Sequence, residues 1–209
     1  MMLIGQYDSP FVRRIGIALS IYGMPFDHQP WSTFSDGHKI AAYNPLMRVP
    51  ALVLDNGDTL IDSHVIIDYL DGLMPSEQRL YPQAEPDRHQ ALRITALAAG
   101  FSDKAISLFY EQVLHSEVSP LWVERCTKQM SNTLQVLESD RQSLATPYWF
   151  GERIGHADIA VATSLRHFTD AHPTMANWKS DFPQLARHLA ELEEMPVFQE
   201  ISQPFIAPA

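Results

Sequence analysis

Apolar positions along the 209-residue chain follow two different periods. As far as Leu73, short apolar runs alternate with helical stretches, whereas from Asp87 onward the spacing is helical almost throughout. Met2 to Tyr7 reads as a short strand leading into Ser9-Pro10. Ser9 suits a helix N-cap and Pro10 the first helical position, where a missing N–H costs nothing. Ile15, Ala18, Leu19 and Tyr22 then recur at helical spacing before Gly23 ends the helix. His28 to Ser32 gives a second strand, which Pro30 confines to a sheet edge. Ala51 to Leu54, Asp55-Asn56-Gly57-Asp58 and Thr59 to Ile61 predict a hairpin, with Asn-Gly supplying the positive φ angles of a type I′ turn. Asp62-Ser63 opens a helix that carries Val65, Ile66, Tyr69, Leu70 and Leu73 on one face. The order is βαβ-ββα, with room for a further helix between the second and third strands.

Met74 to Pro86 holds Pro75, Pro82 and Pro86 among polar residues and reads as a linker. Long helices are predicted over Asp87 to Ser116 and Pro120 to Leu144, and shorter ones near His156 to Asp170 and Phe182 to Leu192. The expected division is therefore 1–75, a linker over 76–86, and an all-helical domain over 87–209.

Composition narrows the partners. Apolar residues make up 45% of the chain, enough for a sizeable core. With 25 acidic and 15 basic side chains the net charge is −10, which disfavours a nucleic-acid backbone as partner. No run of about eighteen apolar residues exists, so no membrane span is expected. Cys126 is the sole cysteine and no leader precedes the first strand, so a cytoplasmic protein without disulfides is the expectation. Nine histidines show no HExxH or other tight ligand spacing, and neither a Walker A loop nor GxGxxG occurs, so no metal and no nucleotide cofactor is expected. Arg48-Val49-Pro50, the hairpin and the helix start at Asp62-Ser63 lie within about fifteen residues, an arrangement suited to gripping an extended peptide that carries a carboxylate.

Taken together, Ser9-Pro10-Phe11-Val12-Arg13-Arg14, Asn44-Pro45 with Arg48-Val49-Pro50, Asp62-Ser63 and Gly155-His156-Ala157-Asp158-Ile159 resemble the bacterial cytosolic glutathione transferases. The resemblance covers essentially the whole chain. It implies an α/β thioredoxin-like N-terminal domain (βαβ-ββα) plus an all-α C-terminal domain, and glutathione as co-substrate. It further implies a cis Val49-Pro50 bond, with the Val49 N–H and C=O pairing with the cysteinyl residue of glutathione. Ser63 and its N–H would hold the γ-glutamyl carboxylate while Asp62 accepts from the ammonium of the same group. A plain N-cap is the bland reading of Asp62-Ser63.

A thiol of pKa about 8.5 is mostly protonated at neutral pH, and lowering it by about two units takes roughly 2.7 kcal/mol. One charge-assisted hydrogen bond plus a helix N-terminus supplies energy of that order. Ser9 offers both, and serine-type members of the family carry their hydroxyl just before this helix. Tyr7 is the competing activator, and a pure capping role the alternative for Ser9. Cysteine-type chemistry has no cysteine at this helix, and Cys126 shares a face with Trp122 and Met130, as a core residue does. Phe11 either frames the sulfur site or packs in the first turn. His38 and Lys39 precede the Asn-Pro turn, near where some members contact the glycyl carboxylate, or belong to a solvated loop. Asp103 stands in register with Ala96, Ala99, Ile106 and Tyr110, either facing a cleft or at the edge of the stripe. Asp158 is expected to serve as the N3 acid of a capping box whose cap residue, Gly155, lacks a side chain.

The implied function is transfer of glutathione to an electrophilic small molecule by a homodimer, with the electrophile against the helical domain. A binding or regulatory protein with little turnover and a glutathione-dependent peroxidase are the alternatives.

Overall fold

A computed structural model describes residues 1–175 and 177–207. Strand β1 (Met2–Ile4) runs through the middle of a four-stranded sheet and buries Leu3 and Ile4 completely. It pairs in parallel with β2 (Asp27–Gln29) and antiparallel with β3 (Ala51–Val53), which in turn pairs antiparallel with β4 (Thr59–Ile61). The order β2-β1-β3-β4 leaves β2 at an edge, and the strand ends at Gln29 so that Pro30 lies outside the ladder. Helix α1 (Pro10–Ile21) connects β1 to β2, the short α2 (Gly37–Ile40) lies between β2 and β3, and α3 (Ser63–Leu73) follows β4.

Two local expectations are revised. The first strand ends at Ile4 rather than Tyr7, because Gly5, whose N–H makes a last bond to β2 at Gln29 O (2.9 Å), turns the chain at φ 127°. The hairpin is not closed by a type I′ turn, since Gly57 alone of Asn56-Gly57 has a positive φ, 91°. Gly57 N–H donates to Leu54 O and Leu54 N–H to Asp58 O, at 2.9 and 2.8 Å, so a turn followed by a left-handed glycine makes a three-residue loop. Asn56 stays right-handed because its Oδ1 accepts from Asp58 N–H at 3.0 Å.

The helical segment comprises α4 (Asp87–Leu114), α5 (Pro120–Gln142), α6 (His156–Ala171), a 3-10 turn at Pro173–Met175, α7 (Trp178–Asp181) and α8 (Pro183–Glu193). Helix α4 packs on both α5 and α6. Small residues let α4 and α6 approach closely: the Ser164 hydroxyl lies 2.8 Å from Ser102 Oγ and 3.0 Å from Ala98 O. Cys126, Met130, Leu134 and Leu137 form the buried side of α5.

Two units emerge, Met1–Gln83 with Met195–Ala209, and Ala84–Glu194. This division departs from the expected 1–75, 76–86 and 87–209 at both boundaries. After α3, the buried Asp71 accepts at Oδ1 from the Tyr22 hydroxyl (2.6 Å) and from Leu80 N–H (2.8 Å), which ties the expected linker to the sheet unit. Arg13 ties down the tail, including α9 (Pro196–Glu200): Nε donates to Ile201 O at 2.8 Å, Nη2 to Phe198 O at 2.7 Å, and the guanidinium lies over the Phe198 ring. Helix α1 is consequently buried on nearly all sides, against β1, α3 and α9.

Candidate functional site

Gly5 is where two of the anticipated site segments meet. A Cβ there would lie 2.5 Å from Val12 Cγ2 and 2.7 Å from Val49 Cβ, so the first turn of α1 and the approach to β3 close upon it from two directions. Only glycine combines that space with φ 127°.

Ser9 caps α1 from extended backbone (φ −71°, ψ 123°), its Oγ accepting from Val12 N–H at 3.4 Å. Such a long bond engages one lone pair weakly and leaves the hydroxyl proton free to be donated. The cap alone does not single Ser9 out, because Ser119-Pro120 opens α5 with the same 3.4 Å bond, from Trp122 N–H to Ser119 Oγ. What distinguishes Ser9 is its place three residues before Val12, on the turn that Gly5 brings against Val49. Phe11 is half-buried one residue into the helix.

Tyr7, the rival activator, is buried elsewhere. Its ring stacks on His28 with centroids 3.9 Å apart and borders Gly16, where a Cβ would lie 2.9 Å from the ring and 2.7 Å from Ile201. Burial, and secondarily the charge of Glu200, push its phenol up to about 12. A carboxylate that disfavours a phenolate would disfavour a thiolate there as well.

Val49–Pro50 is cis. The Val49 side chain packs on the cluster of Ile4, Ile40 and Ala51. Asn44 fixes the preceding loop, donating from Nδ2 to Arg48 O at 2.8 Å and accepting at Oδ1 from Leu46 N–H at 3.0 Å. The Asn-Pro motif therefore acts through the side chain of its asparagine, which shapes the loop that delivers Val49.

At the start of α3, Asp62 is an exposed N-cap whose Oδ1 accepts from His64 N–H at 2.8 Å. Its backbone has φ 69° and ψ 128°, a combination that costs a non-glycine residue about 1–3 kcal/mol and clusters at functional sites. Ser63 is 4% exposed, and its Oγ accepts from Arg14 Nη1 at 3.3 Å. Neither the Asp62 conformation nor the placement of Arg14 was anticipated. The available signal was a charged pair, Arg13-Arg14, inside a helix with no other charged residue.

The remaining candidates are dispersed. Lys39 pairs with Asp36 at 2.7 Å and lies over the Trp31 ring, and His38 is exposed beside it. Asp103 is an exposed residue of α4. Asp158 is fully buried and accepts from Gly155 N–H at 2.9 Å and Trp149 N–H at 3.0 Å, making the acid half of the capping arrangement. Among the described residues no cluster of three His, Cys, Asp or Glu side chains could hold a metal, and no helix is long and apolar enough to cross a membrane.

Comparison with known proteins assigns the architecture. Family models described as the N-terminal and C-terminal domains of glutathione S-transferase match residues 3–78 and 120–191. A glutathione transferase family member from Pseudomonas fluorescens Pf-5, solved with bound glutathione, is 30% identical with a TM-score of 0.86, covering 98% of this chain and 99% of its own. A glutathione S-transferase from Methylobacillus flagellatus KT, also with glutathione bound, has a TM-score of 0.88 at 26% identity, over 98% and 99% of the two chains. The uncharacterized GST-like protein YibF of Escherichia coli K12 is 27% identical over 98% of this chain and 99% of its own length. This chain belongs to the glutathione S-transferase family, with a thioredoxin-like N-terminal fold and a helical C-terminal domain.

Proposed function

We propose that the protein is a glutathione transferase that binds the tripeptide on its sheet unit and activates the thiol for attack on an electrophilic small molecule. The observation that carries this reading is the opening of α3. There a strained, exposed Asp62 adjoins Ser63 at a helix N-terminus, a pairing of acceptor and donors that suits the ammonium and carboxylate of a γ-glutamyl group. Relatives solved with glutathione that span the whole chain support the same ligand. With its side chain packed on the sheet, Val49 has its peptide groups to offer the cysteinyl residue.

The sulfur then comes to Ser9, whose hydroxyl donates to the thiolate while the first-turn N–H groups of α1 add their partial positive charge. The thiol proton leaves to solvent, the sulfur lone pair forms a bond to the electrophilic carbon, and the displaced group departs with its bonding pair. Phe11, next to Ser9, frames the sulfur. Assembly as a homodimer and a cytoplasmic location belong to the same proposal, the first checked by sedimentation velocity.

The test is turnover of a model aryl halide by Ser9→Ala. A drop of about 100-fold in kcat/KM at neutral pH, recovering as the pH approaches that of the free thiol, supports the mechanism. Full activity in the variant contradicts it. Glutathione binding without turnover of aryl halides or hydroperoxides would instead indicate a binding protein, and faster turnover of hydroperoxides a peroxidase.

A further inference from the structure

Arg14 projects from the middle of α1 into the protein and is 2% exposed, and its hydrogen bond runs to a hydroxyl rather than to a carboxylate. Nη1 donates to Ser63 Oγ at 3.3 Å, while Nε and Nη2 are buried without a hydrogen-bond partner. A buried guanidinium with unused donors is expensive, and a role beyond tying two helices together would account for its retention.

Resting on the glutathione reading above, we propose that Arg14 is a positioning residue which orients the Ser63 hydroxyl and charges the mouth of α3 so that the site selects a carboxylate. A guanidinium only donates, so the Ser63 oxygen must accept from it and must aim its own proton elsewhere. The N–H groups at the start of α3 are donors too. With one Ser63 lone pair taken by Arg14, the hydroxyl proton and the backbone N–H are the donors turned to a ligand, a set matched better to an anion than to an amide of the same shape. Burial pulls the guanidinium pKa down, while the nearby Tyr81 and Asp62 act to keep it charged.

The full-length protein is titrated calorimetrically with glutathione and with the analogue whose γ-glutamyl α-carboxylate is a primary amide. The parent is expected to prefer the acid by about 30-fold. Arg14→Gln is expected to reduce that preference to below about threefold and to leave affinity for the amide within about twofold. Should both ligands weaken by the same factor with the preference intact, Arg14 merely joins α1 to α3 and the proposal is overturned. Arg14→Lys keeps a cation and is expected to retain the preference within about threefold, so a folded Lys variant that has lost it also overturns the proposal, even where the Gln variant does not fold. A parent that binds both ligands equally refutes the carboxylate selection alone. A parent that binds neither removes the glutathione reading itself.

Discussion

Both units bury charged side chains beside helix N-termini, and they use them in opposite ways. In the helical unit the carboxylates close the helix ends. Glu138 accepts from Gln184 and Leu185 N–H at 2.9 Å each and so caps α8, whose own cap position is Phe182. Asp158 holds the start of α6 by accepting from Gly155 and Trp149 N–H, the acid half of a capping box whose glycine cap has no side chain to complete it. In the sheet unit the start of α3 is capped from the surface: the exposed Asp62 accepts from His64 N–H at 2.8 Å, Ser63 receives a bond from a cation, and that cation retains unused donors. Helix ends closed by buried carboxylates hold a fold together, and one capped by an exposed, strained residue is accessible to a ligand.

The comparison yields a graded set of outcomes. Gly5→Ala should be the most damaging, because the new methyl meets Val12 and Val49 and the backbone is at positive φ. A loss of about 4 kcal/mol by denaturant unfolding, with glutathione binding lost as well, is expected. Asp158→Ala should cost about 3 kcal/mol, since it leaves the buried Trp149 N–H and the partly buried Gly155 N–H unpaired, but glutathione affinity of the folded fraction should not change. If that variant binds glutathione differently, α6 is not merely structural. Asp62→Gly should do the reverse. Relief of the strained backbone outweighs the lost cap and raises stability by up to about 1 kcal/mol, while affinity for glutathione falls about tenfold.

The smallest effect is a pH dependence shared by both units. His28 Nε2 lies 2.7 Å from Gly5 O and His172 Nε2 lies 2.9 Å from Ala105 O, so each ring carries its proton on Nε2. Burial lowers both pKa values below the ordinary histidine range, against the opposing pull of those carbonyls. The folded state therefore binds fewer protons than the unfolded chain once the pH drops below about 6.5, and stability declines from there toward the folded pKa values. Unfolding midpoints across that window should fall with pH, and His172→Gln should flatten part of the slope. A midpoint that rises with acidification would contradict this.

What the chain discloses before folding is what short-range chemistry controls. The Ser-Pro starts of α1 and α5, the hairpin, and the change to helical period after Asp87 are all properties of a few neighbouring residues. The hairpin loop type escaped because Asn56 satisfies Asp58 N–H from a right-handed conformation, so Asn-Gly did not have to adopt two positive φ angles. Features that depend on distant partners were not legible. Arg14 meets Ser63 49 residues on, and Arg13 meets the tail 185 and 188 residues on, which moves Met195 and its followers out of the helical unit. No local rule announces the conformation of Asp62 either, since aspartate at an N-cap ordinarily has an extended backbone. The candidate positions Ser9, Val49, Asp62 and Ser63 were visible as motifs. What holds them together, Gly5 between Val12 and Val49 and Arg14 beneath Ser63, became visible only in three dimensions.

A crystal structure of the protein with glutathione tests the central claim most directly. The account predicts the γ-glutamyl carboxylate on Ser63 N–H and Oγ, the cysteinyl peptide paired with Val49, and the sulfur within hydrogen-bond distance of Ser9 Oγ. A tripeptide bound away from the start of α3, or a sulfur placed beside Tyr7, would contradict it.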